Sequence, residues 1–233
     1  MSLSQGRAGH AARPVLRQMA VPGAACKIYR PVYYFVMTET KGARTSARLA
    51  ESMLELIQRN GYSGTGLNAV VEHAGAPKGS LYFHFPEGKE ALGEKAVQLA
   101  AARFGALVAD SAHVSASPAV VLGGVIDELA GMLESSDFRL GCPVSVVTLE
   151  MGAQSERLRD ACADAFASWI APVSELLMRR GHAGPAARAL ATAVVSMVEG
   201  AVIVSRAQRS VEPLHCAAQA MAVLLGQGPE TSA

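Results

Sequence analysis

The chain has 233 residues, half of them hydrophobic and few of them aromatic, with 21 basic and 20 acidic side chains for a net charge of +1. That is room for one or two domains with a sizeable core. The near-neutral balance argues against tight non-specific binding to nucleic acid. No apolar run reaches the roughly 18–20 residues of a membrane span: residues 191–207 come closest, and Glu199 and Arg206 interrupt them.

The charge is unevenly spread. Residues 1–36 hold five basic and no acidic side chains, residues 37–85 five and four, and residues 86–233 eleven and sixteen. Phosphate contact needs local positive charge, so any DNA contact is expected near the N-terminal end. Cys26, Cys142, Cys162 and Cys216 are widely separated, with no CxxC and no Cys/His ligand spacing. They read as reduced, mostly buried thiols in a cytoplasmic chain, and neither metal nor cofactor is expected.

In chain order, residues 1–36 contain three prolines, scattered basic residues and no helical period. They read as a disordered arm, as a stretch upstream of a true start at Met37, or as a basic arm that tracks the DNA backbone; the second reading is preferred. A first helix is expected from Thr45, capped by Thr45 or Ser46, with Ala50, Met53, Leu54 and Ile57 on one face and Gly61 as its stop. Leu67, Val70, Val71 and Ala74 repeat that spacing in a second helix, which Gly75 ends. Pro77 suits the first turn of a third helix, where its missing N–H is not needed, and Leu81 and Phe85 should face inward.

Pro86 and Gly88 break the chain again. A longer helix is expected over residues 89–108, and another from Ser117 and Pro118 with Leu122, Val125, Ile126, Leu129 and Leu133 on one stripe. Residues 135–147 read as a loop. Ser155 is expected to cap a helix that runs to Arg180, kinked at Pro172 and closed by Gly181. Pro185 and Pro213 open two last helices. The fold class is therefore all-α, with a three-helix unit over residues 44–88 followed by a longer helical unit over residues 89–227. Residues 1–43 are expected to be a disordered extension and residues 228–233 a disordered tail.

Residues 61–89, GYSGTGLNAVVEHAGAPKGSLYFHFPEGK, carry the functional signal. Two short helices about a tight turn, the second presenting Lys78, Ser80, Tyr82 and His84, have the layout that sets one helix in the DNA major groove. Helix, glycine turn and a KGSLYFHF core resemble the tetracycline-repressor (TetR) family over about residues 44–105. The junction FHFPEGK is similar to that of its LmrA-like branch.

The resemblance implies a ligand-responsive regulator, a homodimer that represses transcription from a palindromic double-stranded DNA operator until a small apolar effector arrives. It makes residues 44–88 the DNA-binding domain and residues 89–227 the ligand-binding and dimerisation domain. Carried over position by position, Lys78 and Ser80 sit in the first turn of the recognition helix and reach phosphates or base edges. Gly79 leaves room for close backbone approach. Tyr82 and His84 touch the DNA backbone, Thr65 contacts phosphate at the start of the second helix, and Lys89 matches a phosphate-binding lysine. Pro77 and Phe83 depart from the pattern. The fourth helix is expected to link pocket and head.

An effector cavity should be mainly apolar with a few polar groups; Phe104, Met132, Phe166, Trp169 and Met197 are its candidates. Glu199 interrupts an apolar helix, either to bind a cationic ligand or to pair with an arginine across a dimer. The small residues Ala189, Ala193, Gly200, Ala201, Ala217 and Ala218 on the last two helices suit close packing against symmetry mates. No nucleophile elbow, phosphate loop or HExxH motif is present, so an enzyme is not expected. The rival readings are a helical partner-binding module, and a regulator switched by a protein or by cysteine oxidation instead of by a small molecule.

Overall fold

The structure, a computed structural model, describes residues 41–114 and 117–226, and every regular element among them is helical. The expectations for residues 1–40 and 227–233, Cys26 included, lie outside the described residues. The elements are α1 (Lys41–Asn60), α2 (Leu67–His73), α3 (Ser80–His84), α4 (Lys89–Val114), α5 (Pro118–Ser135), α6 (Pro143–Met151), α7 (Glu156–Met178), α8 (Gly184–Gln208) and α9 (Glu212–Gly226).

The predicted apolar face of α1 is the observed one: Ala50, Met53, Leu54 and Ile57 are all buried. The helix starts at Lys41, ahead of the expected Thr45, so Thr45 and Ser46 lie inside it and do not cap it. It stops at Gly61, whose amide still donates to the Ile57 carbonyl while φ turns to +78°; only glycine adopts that conformation without a Cβ penalty. α7 begins as predicted, with Ser155 Oγ accepting from the Leu158 amide at 3.3 Å; it ends at Met178, short of the expected Arg180, and the turn after it closes at Gly181, whose φ is +92°.

Two elements differ from expectation. Pro77 lies outside α3: the Ser80 amide and hydroxyl both turn back to the Pro77 carbonyl, at 2.9 and 2.7 Å, and the helix proper begins only at Ser80. Lys78 and Gly79 therefore sit in the turn and not in the first turn of the helix. The second difference is α6, which begins at Pro143, inside the last part of the stretch expected to be loop, and runs on to Met151. Pro143 opens it, and Val144 and Val147 are buried against α7 and α1. Its sequence, PVSVVTLEM, is rich in β-branched residues of low helix propensity, and burial decides the conformation instead.

Two cores meet inside this bundle. One joins α1, α2 and α3 to α4, α6 and α7 without a break, from Leu49 and Leu81 through Leu92 and Val144 to Trp169. The other is built from α5, α8, α9 and the C-terminal parts of α4 and α7. Phe104 and Ile170 pack against both. The Pro86–Gly88 turn marks the expected boundary of the head, but the apolar packing beneath it is continuous. By length and composition α8 is apolar enough to cross a membrane; here its buried face lies against α7 and α9.

Candidate nucleic-acid interface and effector cavity

The turn between α2 and α3 is held from outside. Arg48 on α1 donates through Nη2 to the carbonyls of Ala74 and Gly75, the latter at 3.0 Å. Gly75 has φ +55° there. Leu81 and Phe85 point into the core as predicted, which turns the opposite face of α3 outward. On that face Tyr82 is 64% and Phe83 80% exposed. Two rings this exposed on a short helix form an apolar surface that the protomer leaves largely uncovered. His84 is half-buried, edge-on to Phe83 with ring centroids 5.0 Å apart. Lys78 is exposed and, with Tyr82, borders a shallow groove floored by Leu67 and Val71 of α2. Gly79 has open space where a Cβ would stand. Lys78, Gly79, Ser80, Tyr82 and His84 thus share one surface, with the Ser80 hydroxyl donating locally to Pro77.

Two predicted contacts are placed differently. Thr65 is 1% exposed, and its hydroxyl donates to the Gly61 carbonyl at 2.7 Å. It pins the loop between α1 and α2, so the expected side-chain contact with phosphate is corrected to a structural role. Lys89 does open α4, but its ammonium lies over the Tyr62 ring, 4.4 Å from the centroid. Burial lowers its pKa, and the nearby Glu150 carboxylate raises it in part. Tyr62 is buried beneath it, and desolvation, then Glu90, push its hydroxyl up to about 12. Arg44 is exposed on α1; the side chain of Lys41 lies outside what is described.

The body grips the head at two further points that the sequence did not reveal. Glu150, in the last turn of α6, accepts the Ser63 amide proton at 2.6 Å, on the loop between α1 and α2. At the start of α7, Ser155 donates to Glu90 at 2.8 Å, and Arg157 bridges Glu87 and Glu94, the latter at 2.5 Å. Glu87 lies in the Pro86–Gly88 turn, directly after the recognition helix.

A half-enclosed cavity of about 60 Å³ opens where α1, α4, α5, α6, α7 and α8 converge. Phe104, Met132 and Trp169 line it as predicted. Phe166 stands behind Trp169, edge-on at 5.4 Å, and Met197 packs against the second core, so neither lines it. The Trp169 indole donates to the Ala101 carbonyl at 3.2 Å. The polar groups of the wall are Gln58, Arg103, Cys142 and Glu199. Glu199 turns inward, where its Oε2 accepts from Ser145 Oγ and the Cys142 thiol also bonds to it. Burial raises the Glu199 pKa, and the Ser145 and Cys142 bonds pull it partly back. Burial, with the Glu199 charge, pushes the Cys142 thiol well up, and burial raises Cys162 as well. Cys216 is exposed on α9, contrary to the expectation of buried thiols. α6 therefore has one end in the cavity wall, at Cys142 and Pro143, and the other on the head, at Glu150.

Among the small residues of the last helices, Ala201 and Ala217 are buried within the protomer, whereas Ala189, Ala193 and Gly200 are exposed. Ile203, Val204, Val223 and Leu224 stand out on the same two helices.

Comparison with known proteins bears on both halves. Residues 51–96 match the family described as bacterial regulatory proteins, tetR family, and residues 118–220 match the C-terminal domain of LmrA/YxaF-like transcriptional regulators. The HTH-type transcriptional regulator LmrA of Bacillus subtilis is 34% identical over 167 residues, covering 72% of this chain and 89% of the relative. The regulator YxaF of the same organism is 34% identical over 178 residues, 76% of this chain and 93% of its own length. Among solved structures, the regulatory protein TetR from Rhodobacter sphaeroides superposes with a TM-score of 0.69 at 24% identity, over 76% of this chain and 96% of that one; at that identity it speaks for the fold.

Proposed function

Because this chain belongs to the TetR family of transcriptional regulators, in its LmrA-like branch, we propose that it is a repressor that holds a palindromic operator as a homodimer and lets go when a small, largely apolar molecule fills the cavity. The family is one of DNA-binding regulators and not of enzymes. The observation that carries the proposal is the outward face of α3 and the turn before it: Tyr82 and Phe83 are exposed on a helix whose other face is locked into the core, and Lys78 is exposed in the preceding turn. In the major groove the lysine and the tyrosine hydroxyl would take phosphates or base edges.

Dimerisation is supported by the exposed Ile203, Val204, Val223 and Leu224 beside the small residues of α8. Such a patch is what an isologous twofold interface buries. The two recognition helices would then meet successive major grooves. Release needs an effector that binds the free conformation more tightly than the DNA-bound one. α6 supplies a route between cavity and head that complements the expected one through α4, since it walls the cavity at one end and holds the Ser63 loop at the other. Burial keeps Cys142 and Cys162 as protonated thiols, which disfavours a redox switch at either.

The test is release. With an operator recovered from genomic fragments, compounds that alter Trp169 emission should also dissociate the complex. Equal affinity of such compounds for free and operator-bound protein would sink the effector reading.

A further inference from the structure

Glu199 interrupts the most apolar stretch of the chain, between Val198 and Ala201, Val202, all of which are buried. Its two partners, Ser145 and Cys142, are neutral donors. The cation on the same wall, Arg103, is turned to Glu51 at 3.1 Å. Arg206, further along α8, donates to the Arg139 carbonyl at 3.2 Å. Among the described residues no basic side chain forms an ion pair with Glu199, and its inward turn removes it from a partner across a dimer. A carboxylate at the wall of an apolar cavity is costly until a cation joins it.

The rest of the wall suits such a cation. Phe104 and Trp169 lie with ring centroids 4.6 Å apart, and both line the cavity with Glu199. The indole N–H is already bonded to Ala101, so what Trp169 brings to the wall is its ring and not its polar group. Aromatic faces beside a carboxylate form the usual setting for an ammonium group. An anionic ligand would meet Glu199 with like charge, and a neutral one would leave it unpaired.

We infer that the effector of this cavity is a small organic cation, an amine or quaternary ammonium on an apolar frame, with its charge set against the Glu199 carboxylate and the rings of Phe104 and Trp169. The inference rests on the effector-responsive reading above. The free volume of about 60 Å³ takes the charged head, and Leu129 and Met132 supply apolar wall for the frame.

Trp169 is the only tryptophan of the chain, so its emission reports on the cavity in the full-length protein without DNA. Two probes of matched shape separate charge from size: benzyltrimethylammonium and the neutral neopentylbenzene. The ammonium should alter Trp169 emission saturably, at a concentration about tenfold or more below that of its neutral counterpart. Glu199→Gln should erase the preference and Glu199→Asp should keep it, with thermal melts to confirm that both fold. Equal binding of the two probes by the natural chain, or a preference that survives Glu199→Gln, would overturn the inference. If the neutral probe binds and releases the operator while the ammonium does neither, the effector-responsive reading stands and the cation falls. If neither probe reaches Trp169, both fall.

Discussion

Glu150 accepts the Ser63 amide proton at 2.6 Å across 87 positions of sequence, so the helix that walls the cavity at Cys142 also fixes the loop that leads into α2. A charge-assisted bond this exposed contributes up to about 1 kcal/mol. Glu150→Ala should therefore quicken amide exchange at Ser63, weaken operator binding by less than about tenfold, and blunt release by effector. Glu150→Gln, which keeps an acceptor, should do much less. Unchanged exchange at Ser63 in the alanine variant would remove α6 from the pathway.

The outward face of α3 predicts two distinguishable effects. Lys78→Ala should weaken binding to operator and unrelated DNA alike, and lower the slope of log affinity against log salt by about one. Tyr82→Ala should weaken operator binding with little change in melting temperature, because the ring is 64% exposed and packs little. Affinity measured at four or five salt concentrations for each variant checks both.

Thr65 gives the opposite pattern. Its hydroxyl is buried and bonded to the Gly61 carbonyl at 2.7 Å, so Thr65→Val keeps the shape and loses the bond. The expected result is a stability loss of about 1 kcal/mol in denaturant titration, with the salt slope of DNA binding unchanged. A slope lowered by about one unit would restore Thr65 as a phosphate contact.

The raised pKa of Glu199 sets a direction with pH. The folded chain holds this proton more tightly than the unfolded chain does, so the group favours folding at low pH and loses that favour as pH rises from the ordinary value of 4.5 toward its raised folded value. Glu199→Gln escapes the loss. The variant should gain on the natural chain between pH 4.5 and mild alkali in paired thermal melts. A constant gap, or one that closes with pH, would contradict the burial of this carboxyl.

Val223 and Ile203, 63% and 51% exposed on α9 and α8, mark the proposed twofold surface. Val223→Arg should shift the sedimentation profile to monomer and abolish operator binding at protein concentrations where the natural chain binds. A natural chain that sediments as a monomer would remove the interface.

What the sequence disclosed follows from how local each signal is. The face of α1, the stop at Gly61 and the Ser155 cap are set by residues within one or two turns of each other, and all are present. α6 was hidden because Val144, Val146, Val147 and Thr148 disfavour helix in isolation, and the burial of Val144 and Val147 against α1 and α7 overrides it. The grip of Arg48 on the Ala74 carbonyl, and of Ser145 on Glu199, joins residues 26 and 54 positions apart, which no spacing rule reports. Thr65 was misread because its place in the chain is also that of a phosphate contact, and only the fold shows which way its hydroxyl points.

The most direct test is selection of genomic fragments at moderate salt with competitor DNA, run in parallel for the natural chain and for the doubly substituted Lys78→Ala, Tyr82→Ala variant. The natural chain should enrich fragments that share one palindromic sequence, and the variant should not. Fragments with no shared palindrome, or the same fragments recovered by both proteins, would contradict operator recognition through α3.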